Sequence, residues 1–120
     1  MSGYHEPVEE MLQQDRDLSR ALNSMKEEIE AVDWYHQRVA TTTDPTLKAI
    51  LEHNRNEEIE HACMILEWLR RNMVPWDEQL KTYLFTQLPI TEIEGAENGQ
   101  EPSGETSSSA QGTLNIGSLR

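Results

Sequence analysis

Glu58 and His61 stand three residues apart in a stretch that reads as helix, LEHNRNEEIEHACMILEWLRR (51–71). At about 100° per residue, Leu47, Leu51, Asn54, Glu58, His61, Ile65 and Leu69 fall within roughly 80° of arc. A carboxylate and an imidazole thus lie in the middle of an apolar stripe. A buried carboxylate is costly unless something compensates its charge. A metal ion is one such partner. Glu28 carries the matching oddity on an earlier helical stretch, beside Met25, Ile29 and Val32, with Tyr35 seven residues on along the same face. An inward Glu on one helix and an inward Glu-x-x-His on its neighbour is the ligand grammar of di-iron and di-manganese carboxylate bundles. Hard carboxylate oxygens with one imidazole per metal suit iron or manganese, whereas zinc more often takes several His or Cys ligands.

The count sets the assembly. A full site takes two lone Glu residues and two Glu-x-x-His pairs from four helices. This chain supplies one of each, which is half a site. Two chains about a two-fold axis would complete it. The bland alternatives are a Glu58 that pairs with Arg or Lys across a coiled coil and a Tyr35 that merely packs in the core. His36 in the first helical seam reads as a hydrogen-bonded core histidine, and Cys63, pointing away from the stripe, as a small filler. Two further clusters share helical faces: His53, Glu57 and Glu60, and Glu27, Glu30 and Trp34. Each reads equally as a weak cation site feeding metal inward or as an ordinary solvated acidic face.

The elements that must position these residues are helices. Val8, Met11, Leu18, Leu22, Met25, Ile29, Val32 and Val39 recur at heptad-like steps, with Asp15 and His36 in the two polar seam positions. With Pro7 suited to a helix start, the pattern predicts one helix from Val8 to Ala40. Its 33 residues would span roughly 50 Å, too long for a small domain unless another chain covers it. Asp44-Pro45 predicts an N-cap and first turn for a second helix ending near Asn72, with Arg70 and Arg71 in its last turn. The short connection makes the two an antiparallel hairpin. Trp76 to Phe85 predicts a short third helix with Trp76, Leu80, Tyr83 and Leu84 as its apolar side. The fold class is all-α.

Composition bounds the rest. The 120 residues carry 22 acidic and 10 basic side chains, a net charge of −12, which argues against nucleic-acid binding and suits cation handling. A single cysteine excludes an intrachain disulfide. No signal peptide and no membrane span is expected, so a cytoplasmic protein follows. Residues 1–90 form the helical domain, which is small for an independent core. Residues 91–113, rich in Gly, Ser, Glu and Thr, read as a disordered acidic linker. Residues 114–120, LNIGSLR, place Leu114, Ile116 and Leu119 in a tail that reads as a segment something binds, as a degradation signal, or as an accident of sequence.

The stretches EEIEAVDWYHQR (27–38), LEHNRNEEIEHACMILEWLRR (51–71) and LKTYLF (80–85) resemble the encapsulated ferritins, and the resemblance covers most of residues 5–86. It implies a ferritin-like four-helix bundle completed by dimerisation and a ring of dimers, a decamer, as the homo-oligomer. It also implies a ferroxidase centre with iron bound by Glu28, Glu58 and His61, with Tyr35 beside them. Accessory metal sites would fall on Glu27, Glu30 and Trp34 and on His53, Glu57 and Glu60. The tail is similar to peptides that load cargo into encapsulin shells, so the shell protein is an expected partner and the encapsulin nanocompartment the expected location. The activity implied is Fe(II) oxidation by oxygen for iron storage. A non-catalytic acidic helical adaptor and a rubrerythrin-like peroxidase are the alternatives.

Overall fold

A computed structural model describes residues 3–97, and every regular element in them is helical. A 3-10 turn, Val8–Glu10, precedes four helices: α1 (Gln13–Thr41), α2 (Pro45–Asn72), α3 (Val74–Tyr83) and α4 (Ile90–Glu97). The chain divides into two compact units, Met1–Asp77 and Glu78–Arg120, the division falling inside α3.

The expected helix from Val8 to Ala40 is shorter than its apolar periodicity. Leu12 is extended (φ −66°, ψ 160°), and α1 begins only at Gln13. Two side chains fix that start. The Asp15 carboxylate accepts the Leu12 N–H at 3.3 Å, satisfying a donor at the helix entrance and placing negative charge on the positive end of the dipole. The Arg16 guanidinium donates to the Val8 carbonyl at 2.7 Å and ties the preceding turn to the helix. Asp15, a polar intruder in the seam by sequence, is thus the residue that starts the helix.

The α1–α2 connection follows its local chemistry. The Asp44 carboxylate accepts the Leu47 N–H at 2.8 Å and Pro45 takes the first helical position. Helix α2 then runs from Pro45 to Asn72, as its pattern predicts. Gln14 near the start of α1 reaches the carbonyl of Asn72 at the end of α2, while His36 near the end of α1 meets Arg55 of α2. The two helices are therefore antiparallel. Val39 and Leu69 are buried. Other seam residues are not: Leu22, Ile29 and Leu47 are exposed at 42%, 56% and 47%. The heptad pattern is real, but one chain covers only part of it.

At the end of α2 the chain turns at Met73, which is extended, and α3 starts at Val74, two residues before the expected Trp76. Pro75 suits the first turn, where no N–H donor is required. Arg70 holds this elbow. It donates two hydrogen bonds to Glu67, each at 2.8 Å, and one to Asp77 at 2.6 Å, while Arg71 adds a bond to Glu67 at 2.7 Å. Helix α3 ends at Tyr83, not at the expected Phe85. Phe85 takes a left-handed conformation (φ 61°), which breaks the helix and costs a non-glycine residue about 1–2 kcal/mol.

Helix α4 corrects the expected start of the linker. Residues 91–97 are helical, anchored by a Pro89 carbonyl that accepts the Glu92 N–H at 2.9 Å. Ile93, the single large apolar residue of that stretch, is buried. The remainder of the expected linker, 98–113, and the tail, 114–120, lie outside the described residues. Among the described residues, no helix is long and apolar enough to cross a membrane.

Candidate metal centre

Helices α1 and α2 bring Glu28, Glu58 and His61 together. One ligand atom from each lies within 4.8 Å of the others, and all three residues are half-buried. The i, i+3 spacing on α2 sets Glu58 Oε1 3.3 Å from His61 Nδ1. Glu28 reaches across from α1, its Oε1 3.7 Å from the same nitrogen. The sequence places these residues on facing helical stripes, and the antiparallel hairpin makes those stripes meet.

The three groups shift one another's proton affinity. The Glu28 carboxyl is pushed above its ordinary value, chiefly because it donates a hydrogen bond to Glu58 and also because burial disfavours its charge. Glu58 is pushed down, chiefly by accepting that bond. The His61 imidazole is pushed up, chiefly by its hydrogen bond to Glu58. A divalent cation among them would compete with protons and meet two hard oxygens and one nitrogen. The donor set fits iron, and it leaves coordination positions open for a second set of ligands.

Neighbouring residues fall into distinct places. Glu57 lies between two imidazoles, one oxygen 3.9 Å from His61 Nε2 and the other 3.8 Å from His53 Nε2. This chain leads from the centre to His53, whose side chain is 71% exposed. Glu60 is exposed and makes none of these contacts. Glu27 and Glu30 are exposed on α1. Trp34 lines an open groove with Gln37, Arg38 and Thr41. Tyr35 is half-buried, with the Arg38 guanidinium 5.3 Å above its ring. Cys63 is exposed and is not the small core filler its residue type suggests.

Sequence reasoning missed the bond between helices that flanks the centre. Arg55 Nη1 lies 3.2 Å from His36 Nδ1. His36 is therefore hydrogen-bonded, as its seam position suggests, yet exposed rather than buried. The signal was available: Arg55 follows Asn54 of the α2 stripe and opposes the last polar seam position of α1.

The family described as EncFtn-like matches residues 3–87. A "Ferritin-like protein" of Thermotoga maritima is 70% identical over 96 residues, covering 80% of this chain and 84% of the relative. An "Encapsulated ferritin-like protein" of Rhodospirillum rubrum is 53% identical over 121 aligned residues, covering 97% of this chain and 86% of the relative. Among solved structures, protein ne0167 from Nitrosomonas europaea is 55% identical with a TM-score of 0.71, covering 74% of this chain and 98% of that one. An all-helical hairpin that presents a Glu/Glu/His cluster, matched over nearly all its described length, belongs to the EncFtn-like family.

Proposed function

We propose that the protein is a ferroxidase that oxidises Fe(II) to Fe(III) with oxygen at a di-iron site shared between two chains, and delivers the ferric iron for storage inside an encapsulin shell. The iron is substrate. Each chain contributes Glu28, Glu58 and His61, and a two-fold related copy contributes the same three. The carboxylates hold the two ferrous ions and favour the ferric product by their charge, and His61 completes the donor set. Each ion gives up one electron, and oxygen accepts both. Tyr35 lies beside the ligands without binding metal. Glu27 and Glu30 draw Fe(II) toward the centre, with Trp34 shaping the approach, and His53, Glu57 and Glu60 form an accessory cation site.

The observation that carries this reading is the convergence of Glu28, Glu58 and His61 from two antiparallel helices; a four-helix carboxylate site uses such a set twice. The name of the Rhodospirillum relative supports the location inside a shell. Residues 114–120 are the docking segment, and the homo-oligomer is built from dimers that share the metal, as in a ring.

Oxygen uptake after Fe(II) addition tests the activity, and iron per chain tests the sharing. We expect about one tightly bound iron per chain, and loss of most of the oxidation rate in Glu58→Ala. A monomer that binds two irons and oxidises them at full rate would refute the shared site.

A further inference from the structure

His61 has two ring nitrogens, and the structure gives them different neighbours. Nδ1 faces the cluster, 3.3 Å from Glu58 Oε1 and 3.7 Å from Glu28 Oε1. Nε2 faces Glu57, whose Oε1 lies 3.9 Å away. The other oxygen of Glu57 lies 3.8 Å from His53 Nε2. His53, Glu57 and His61 follow one another at steps of four, so they form a single row along α2. Glu28 and Glu58 meet the imidazole on its Nδ1 side, and Glu57 meets it on the opposite one.

A neutral imidazole carries one N–H and one lone pair. When Nδ1 gives its lone pair to a cation, the proton belongs on Nε2, and an acceptor there holds it on that nitrogen. Without such an acceptor, a half-turn of the ring about Cβ–Cγ would put Cδ2, a carbon with no lone pair, in the place of Nδ1. The 3.9 Å gap is wider than a hydrogen bond, and a shift of about 1 Å in the Glu57 carboxylate, itself 48% exposed, closes it. We propose that Glu57 is the positioning residue of this centre: it accepts the Nε2–H of His61 and so fixes the tautomer and ring orientation that turn Nδ1 to the metal. The proposal rests on the reading of His61 as a ligand. It requires an acceptor oxygen at residue 57, whereas an accessory cation held by Glu57 requires its charge.

Co(II) added without oxygen reads affinity in the absence of turnover. Its visible absorption in the full chain, less what remains in His61→Gln, reports the centre. We expect affinity to fall about tenfold or more in Glu57→Leu. In Glu57→Gln, which keeps an acceptor oxygen in a weaker uncharged bond, it should fall about threefold or less. Equal losses in the two variants overturn the proposal, since charge alone would then be the cause. Unchanged affinity in Glu57→Leu overturns it as well. A crystal structure of the Co(II)-loaded, unsubstituted chain gives a readout that needs no variant. Nδ1 on the metal with Nε2 turned to Glu57 is the expected result, and Nε2 on the metal overturns the proposal. A metal bound there without His61 would overturn the reading of the centre on which the proposal rests.

Discussion

The Glu28 carboxyl is pushed up and the Glu58 carboxyl down by their mutual hydrogen bond, so protons and cations compete at this cluster. Glu28 and His61 both hold protons to higher pH than such groups ordinarily do, the first chiefly through Glu58 and the second likewise. A cation must displace those protons, so affinity should fall as pH drops through the raised value of His61, above its usual 6.5. Anaerobic calorimetry with Fe(II) at pH 8 and pH 6 should show weaker binding at the lower pH, with proton release visible in the buffer dependence of the heat. His61→Gln should weaken binding by at least about tenfold and flatten that dependence near neutrality; an unaltered pH profile would remove His61 from the ligand set. Glu27 and Glu30 are exposed and stand apart from the Glu28–Glu58–His61 cluster. Replacing both with Ala should slow oxidation while leaving iron at saturation unchanged. Loss of bound iron in that double variant would instead make them ligands.

Helix α2 ends in an ionic elbow whose strength depends on pH. Arg70 and Arg71 hold Glu67 down to about 2 by hydrogen bonding. A carboxylate depressed in the folded state adds stability that is complete above its ordinary value of 4.5 and lost as pH falls toward 2. Arg70 and Glu67 are 34% and 42% exposed, so solvent screening limits the contribution to about 1 kcal/mol. Glu67→Gln should lower the melting temperature by a few degrees at pH 7 and by much less at pH 2; an equal loss at both would mean that charge is not the cause. The elbow also marks where the sequence was legible. The caps of α2 could be read directly, because Asp44-Pro45 and Arg70-Arg71 act within one turn of the helix they bound. The Glu28–Glu58–His61 cluster could be read because its polar members interrupt apolar stripes of known period. The start of α1 could not, because the stripe continues through Val8 and Met11 while the break depends on Asp15 and Arg16 bonding backward to the backbone. Helix α4 was hidden for a related reason: composition averages over a window, and one buried isoleucine does not alter the average.

Across the whole molecule, the exposed seam and the proposed sharing of metal between two copies lead to expectations about assembly. If two copies share the metal, Fe(II) added without oxygen should raise the sedimenting mass, since a ligand that binds the dimer alone shifts the equilibrium toward it. In Glu58→Ala that metal-dependent shift should vanish. Deleting residues 114–120 should leave oxygen uptake intact and abolish loading into the shell; normal loading of the truncated chain would show that docking lies elsewhere. The thin burial has a calorimetric consequence as well. Val39, Leu69 and Ile93 are the buried apolar residues among those described, while Ile29, Ile50, Ile59 and Met64 are more than two-fifths exposed. The heat-capacity increment of unfolding follows the apolar surface newly exposed to water. A lone chain, which hides little of that surface, should therefore have a small increment and a shallow stability curve. Most of the increment would enter with association, so the melting temperature should climb with protein concentration, and no single unfolding free energy would describe the protein.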